Sequence, residues 1–265
     1  LTTYVIGRGD NQLFDDIDST STEAARLALQ GAAEGTVVLA RRQTSGRGRH
    51  GRAWVSPANA GIYMSILLRP QLSLLELPLL SLVAGVACAQ AIERVCALTV
   101  GLKWVNDLVV NGRKLGGILV EMGSHASAST AAGAVPPPVV VGIGLNLDLS
   151  TVELPPELQD RVAWLNGLCD KAVDSNLLVA ELLNCFESGY FDLKNGMSEA
   201  ILAEWKKRSV TLGRQIKAEI GRQVVSGLAV DIAASGALIV RQDDGCEVKL
   251  HAGEVSVRLD DGRYA

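Results

Sequence analysis

The sequence predicts an α+β fold in two parts, a mixed-sheet domain over residues 1–208 and a small all-β barrel over residues 209–265. Three observations carry that reading. Strand-like and helix-like runs interleave as far as Lys206, Lys207 and Arg208. Beyond them only short β-rich runs remain, separated by turn dipeptides. Between two apolar runs sits Asn111-Gly112, the dipeptide favoured in a type I′ hairpin, so part of the first sheet is antiparallel.

The elements follow in order. Residues 13–17 read as a strand, and Asp18, Ser19 and Thr20 cap a helix from about 21 to 30 with Ala24, Leu27 and Ala28 on its apolar face. Gly31 ends that helix. Residues 36–40 form a β-branched strand, 44–52 show no periodicity, 62–68 are a strand and 79–95 a buried helix rich in small residues. The hairpin around Asn111-Gly112 spans 102–121. Residues 123–138, rich in Ser, Ala and Gly with three consecutive prolines, read as a mobile surface loop, followed by a strand over 139–147. Leu178, Val179, Leu182, Leu183 and Phe186 mark an amphipathic helix near 175–190. The barrel strands fall at 215–220, 223–232, 237–241, 247–250 and 255–259.

Composition narrows the function. The 265 residues hold 25 Lys+Arg against 29 Asp+Glu, a formal net charge of -4, which argues against a nucleic-acid binder held by bulk charge. Five scattered cysteines and three scattered histidines form neither a disulfide framework nor a zinc motif, so metal ligands stay unassigned and a reducing, cytoplasmic setting is expected. The longest uncharged apolar stretch, 77–92, is interrupted by Pro78, Ser81 and Gln90 and reads as too short and mixed for a bilayer. Neither DNA nor a membrane is therefore expected as a partner.

The chemistry concentrates in residues 41–52, which hold five arginines and no acid. Arginines offer bidentate donors to phosphate or carboxylate, and the interleaved glycines let backbone N–H groups wrap an anion. Gly46, Gly48 and Gly51 match a dinucleotide fingerprint by letter, but no helix start follows and no acid sits about 20 residues on. A solvated loop and an Arg-Gly nucleic-acid segment are the remaining alternatives. Other polar groups favour a site: Lys103, Trp104, Asn106 and Asp107 open the hairpin, Lys114 returns on its second strand before Gly116 and Gly117, and Asn146 ends a Gly-punctuated strand. Asp107 can orient Lys114 or satisfy its own backbone, and Trp104 can pack in the core or touch a ligand.

Taken in order, DSTS at 18–21, QTSGRGRHGRAW at 43–54, KWVND at 103–107, KLGGIL at 114–119, GIGLN at 142–146 and GEVSVR at 253–258 make a known pattern. Over essentially its whole length the chain resembles the biotin protein ligases, with two departures: Ser21 stands where the family usually has Asn, and Val105 where it has Pro. The resemblance implies a catalytic domain of the biotin/lipoate ligase type and an SH3-like small barrel. Because the pattern begins by residue 18, a monofunctional form without an N-terminal DNA-binding domain is expected.

The resemblance also implies two reactions. Biotin and ATP give biotinyl-5′-AMP and pyrophosphate, and a lysine of a biotin carboxyl carrier protein or domain then takes the biotinyl group. In the first reaction two anions must meet. Two unit charges 4 Å apart repel by about 4 kcal/mol at an effective dielectric near 20, so cations and Mg²⁺ are expected. Arg49 and Lys114 are implied as the catalytic pair flanking carboxylate and α-phosphate. The biotin site is implied to be Ser19, Thr20, Ser21, Gln43, Gly46, Arg47, Gly48, Arg49, Lys114 and Gly117. The nucleotide site is implied to be Arg49, Arg52, Trp54, Lys103, Asn106, Asp107, Lys114, Asn146 and Arg258. A monomer or homodimer is expected. Two rivals stay open, a lipoate ligase or octanoyl transferase of the same fold and a non-catalytic biotin-sensing or RNA-binding module.

Overall fold

The computed structural model describes residues 1–73, 75–123, 137–220, 223–251 and 255–259, the last five by backbone only. Its first sheet has seven strands: β1 (Gln12–Ile17), β2 (Val37–Gln43), β3 (Gly61–Leu68), β4 (Gly101–Lys103), β5 (Asp107–Val110), β6 (Arg113–Met122) and β7 (Val139–Asn146). Their spatial order is β1-β2-β3-β7-β6-β5-β4. Only β1 and β2 run parallel and every other neighbouring pair is antiparallel, which makes the sheet mixed. The expected loop at 123–138 lies largely outside the described residues.

Two helical layers cover this sheet. Helix α1 (Thr20–Leu29) sets Ala24, Leu27 and Ala28 against Val38, Leu67 and Val140. Its N-cap is Ser19, one residue earlier than a start at 21 would require. On the other face α2 (Leu77–Cys96) and α4 (Ser175–Lys194) pack together over the main core. Helix α2 is longer than the sequence suggests, and by length and composition alone it could cross a membrane, with mean hydropathy 1.6. However, 72% of that window is buried within the protein, so its apolar surface is spent on the core.

Among the described residues one strand and two α-helices escaped the sequence reading: the three-residue β4, the one-turn α3 (Pro156–Gln159) and α5 (Ser198–Arg208). In α5 only Ile201, Leu202 and Trp205 are buried, too few to show a period. Arg208 at its end bonds both carboxylate oxygens of Glu93 on α2, at 2.7 and 2.8 Å. Elsewhere the hairpin expectation holds, with Asn111 at φ 51° and Gly112 at φ 72°, the two left-handed residues of a type I′ turn.

The second sheet contains β8 (Gln215–Ile220), β9 (Gln223–Ile232), β10 (Leu238–Arg241), β11 (Glu247–Leu250) and β12 (Val255–Leu259), all antiparallel in the order β11-β10-β9-β8-β12. It shares the main core, to which Ile216, Ala218, Leu238 and Val240 contribute.

The N-terminal segment is tied down by one residue. The Glu187 carboxyl group on α4 is 4% exposed and accepts backbone N–H bonds from Tyr4, Val5 and Ile6 at 2.7, 2.7 and 2.9 Å. Truncation strands three backbone donors beside the core, so Glu187→Ala is expected to cost about 3 kcal/mol, read as a lowered urea midpoint at unchanged slope.

Candidate active site

A cavity of about 360 Å³ opens over β6 and β7. It is walled by the start of α1, the segment after β2, the turn between β4 and β5, and residues near 149–162. Nearly all the residues singled out from the sequence line it. Among the implied catalytic, biotin and nucleotide residues the exceptions are Gly46, which lies behind the wall, and Arg258, whose side chain falls outside the described residues.

One end is built from neutral hydrogen-bonding groups. Ser19 caps α1, its Oγ accepting the Ser21 N–H at 3.3 Å. The Thr20 N–H donates to Gln43 Oε1 at 2.9 Å, and the Thr20 hydroxyl lies 3.2 Å from the same oxygen. Beneath them the fully buried Ser65 hydroxyl sits 2.8 Å from Thr20 Oγ1 and 3.1 Å from Ser21 Oγ. On the far side, Gln43 Nε2 donates to Ser56 Oγ at 2.9 Å and the Ser56 hydroxyl donates to the Trp54 carbonyl at 3.0 Å. Gly46 belongs to this frame, since a Cβ there would lie 2.4 Å from the Trp54 carbonyl oxygen and 2.6 Å from Ser56 Oγ. Sequence reasoning missed Ser56 and Ser65, because single serines beside strands carry no pattern.

The other end is cationic. Among the described residues, Arg47, Arg49, Arg52, Lys103, Lys114 and Arg161 line the cavity against a single lining carboxylate, Asp107. Lys114 Nζ is 2.5 Å from Asp107 Oδ1 and 5.3 Å from the centre of the Trp54 ring. The pairing is the contact that an orienting role of Asp107 toward Lys114 requires. Arg49 donates to Asn106 Oδ1 at 3.2 Å, while Asn106 Nδ2 donates to the Ile118 carbonyl at 2.8 Å. Burial lowers the pKa of Arg49, nearby Asp107 opposes that, and Arg52 adds to it. An arriving anion favours the charged guanidinium. Arg47 pairs with Glu121, a partly exposed contact between the Arg/Gly segment and β6. Gly48 closes that segment, its N–H bonding the Arg52 carbonyl at 2.8 Å.

Between the two ends lies Trp54. A Cβ on Gly144 would stand 2.7 Å from its indole ring, and one on Gly117 would stand 3.3 Å from both the ring and Lys114. The ring therefore rests on bare strand backbone, and its N–H is buried without a hydrogen-bond partner among the described residues. Asn146 donates to the Ala163 carbonyl at 2.9 Å and lies 3.4 Å from that of Lys114, tying β7 to the wall. Leu149, Leu154, Leu158 and Val162 make that wall apolar. The sequence reading missed it because its residues follow no strand or helix period. Trp104 is 3% exposed, packs in the core and also borders the cavity, and its indole N–H donates to the Gly236 carbonyl at 3.0 Å. Among the described residues no group of three His, Cys, Asp or Glu is placed to hold a metal.

Comparison with known proteins places these residues in context. Residues 13–135 match the Biotin/lipoate A/B protein ligase family, and residues 211–258 match the Biotin protein ligase C terminal domain. The chain is 37% identical to a biotin–[acetyl-CoA-carboxylase] ligase of Paracoccus denitrificans over 246 residues, covering 90% of this chain and 96% of the relative. It is 33% identical to the same-named ligase of Mycobacterium tuberculosis over 261 residues, covering 94% and 90%. The structure resembles a biotin protein ligase of Aquifex aeolicus in complex with biotin and ATP, with TM-score 0.79 and 28% identity over 95% of this chain and 100% of that one.

The seat of Trp54 is open to test. In Gly144→Ala the added methyl must displace the ring, so tryptophan emission should shift to the red. The same substitution in a Trp54→Phe background should produce no shift.

Proposed function

The chain belongs to the biotin protein ligase family, and from that premise we propose how its residues divide the work. It is an ATP-dependent biotin–protein ligase that forms biotinyl-5′-AMP with release of pyrophosphate and then transfers biotin to a carrier lysine. The observation that carries the assignment of roles is the two-ended cavity, in which a neutral hydroxyl and amide pocket adjoins, among the described residues, six cations and one carboxylate.

The ureido head of biotin needs both donors and acceptors, and Ser19, Thr20, Ser21 and Gln43 supply them. Its acyl chain runs past Gly48 and Gly117 toward Arg49 and Lys114. There an oxygen of the biotin carboxylate attacks the α-phosphorus of ATP, and the bond to the β-phosphate breaks to release pyrophosphate. Arg49 and Lys114 offset the charge gathered at that point. Asp107 and the Trp54 ring hold Lys114 in place. Trp54 and the apolar wall receive the adenine, with Arg52, Lys103, Asn106, Asn146 and Arg258 completing the nucleotide site, while Arg47 and Gly46 keep the loop in shape.

In the second step the carrier lysine amine attacks the acyl carbon, an amide forms, and AMP leaves with the phosphate oxygen. A mixed anhydride is lost if water reaches it, so residues 44–56 close over the intermediate.

Magnesium fits as the ion that accompanies ATP. Asp107 is the lining carboxylate and is engaged by Lys114, so the phosphate oxygens and water would supply most ligands. When bound it would neutralise phosphate charge. The acceptor is a biotin carboxyl carrier domain, residues 1–208 form the catalytic unit with 209–265 as the small domain, and the enzyme works in the cytoplasm as a monomer or homodimer.

A streptavidin blot after incubation with ATP, biotin and a carrier domain tests the function, with lipoate as the competing substrate. Biotin-dependent labelling is expected, and lipoate-only activity would refute it. Lys114→Ala should lower the rate of ATP–pyrophosphate exchange about 100-fold or more. Arg49→Gly should release free biotinyl-5′-AMP, seen as biotin on unrelated lysines of a bystander protein. Release no greater than that of the unaltered enzyme removes Arg49 from the retention role.

A further inference from the structure

The two ends of a glutamine amide have nearly the same shape and opposite hydrogen-bonding sense, so recognition by Gln43 depends on which end is turned where. Its neighbours decide this from both sides with groups of fixed polarity. On one side the Thr20 backbone N–H, which only donates, meets Gln43 Oε1 at 2.9 Å. On the other, the Trp54 backbone carbonyl, which only accepts, takes the Ser56 hydroxyl proton at 3.0 Å. Having given up its one proton, Ser56 Oγ can only accept, and Gln43 Nε2 donates to it at 2.9 Å. Ser56 is 5% exposed, so water does not compete for the position.

Ser56 is not among the residues lining the cavity, whereas Gln43 is. We infer that Ser56 is a positioning residue for biotin recognition, fixing the Gln43 amide so that it offers a ligand a donor and not an acceptor. Gln43 Oε1 faces the N–H and hydroxyl of Thr20, and one Nε2 hydrogen is spent on Ser56. One N–H remains for the cavity, and the carbonyl oxygen of a ureido head is the group that matches it. Gly46 keeps this arrangement sterically open, because a Cβ at that position would press on Ser56 Oγ and the Trp54 carbonyl together. The inference rests on the ureido reading of this end of the cavity.

A double-mutant cycle on biotin affinity, measured by titration calorimetry without ATP, tests it. Ser56→Ala should weaken binding about tenfold, whereas in a Gln43→Ala background the same change should alter affinity less than about twofold. Ser56→Thr, which keeps the hydroxyl, should restore affinity to within about threefold. Should Ser56→Ala fail to fold, Ser56→Cys, similar in size but a poor acceptor, takes its place in the cycle. Additive losses in the double variant overturn the inference, as does unweakened binding by Ser56→Ala. Absence of biotin binding by the unaltered protein is a separate failure, which overturns the ureido reading itself.

Discussion

A one-residue irregularity in the β5–β6 hairpin sets the site. Asp107 pairs with Gly117 and Leu108 with Gly116, but Val109 pairs with Lys114, so the register shifts and Leu115 is the extra residue. In a regular strand Lys114 and Gly117, three positions apart, would face opposite sides of the sheet. The bulge turns both toward the cavity and puts Asp107 on the same face, which is why ammonium and carboxylate meet. A bulge also leaves backbone groups without ladder partners. Here the Lys114 N–H bonds the Arg161 carbonyl and the Lys114 carbonyl accepts from Ala163, both at 2.8 Å. The same irregularity that aims Lys114 thus anchors the apolar wall opposite it.

Concentrating six cations around one cavity carries an electrostatic cost, since neighbouring unit charges 4 Å apart repel by about 4 kcal/mol at an effective dielectric near 20. The protein meets that cost with partners placed one by one: Glu121 for Arg47, the Asn106 amide oxygen for Arg49, and Asp107 with the Trp54 face for Lys114. Each is a substitute that phosphate or carboxylate oxygens can replace or join. A net charge of -4 for the chain therefore says little about what this cavity binds.

Much of this architecture was legible in the sequence because local chemistry determined it. The Asn111-Gly112 turn, the cap at Ser19 and the five strands of the second sheet are each dictated within a few residues. So were the chemical types that line the cavity, once the arginines and glycines at 46–52 are read together with KWVND and KLGGIL. What stayed hidden depends on distant pairing. The bulge at Leu115 exists only against β5, Ser56 and Ser65 gain meaning only through Gln43 and Thr20, and the period-poor α5 is held by its contact with α2. The α2 helix illustrates the converse, because its apolar length takes its meaning from the sheet and helices packed against it.

The second sheet bears on the site through the turn between β4 and β5. Val210 donates to the Leu102 carbonyl at 3.0 Å, the Trp104 N–H donates to Thr211 Oγ1 at 2.9 Å, and the Trp104 indole N–H reaches the Gly236 carbonyl at 3.0 Å. These three bonds hold Leu102 and Trp104 at the β4 side of the turn, which runs on through Val105 to Asn106, which meets Arg49, and Asp107, which meets Lys114. Trp104 is therefore core and site at once, with its ring in the shared core and its backbone leading into the two residues that set the cations. A displacement of the second sheet would have to break these bonds or carry Asn106 and Asp107 with it. The placement of charge in the cavity thus depends mechanically on a domain that contributes no described side chain to its lining.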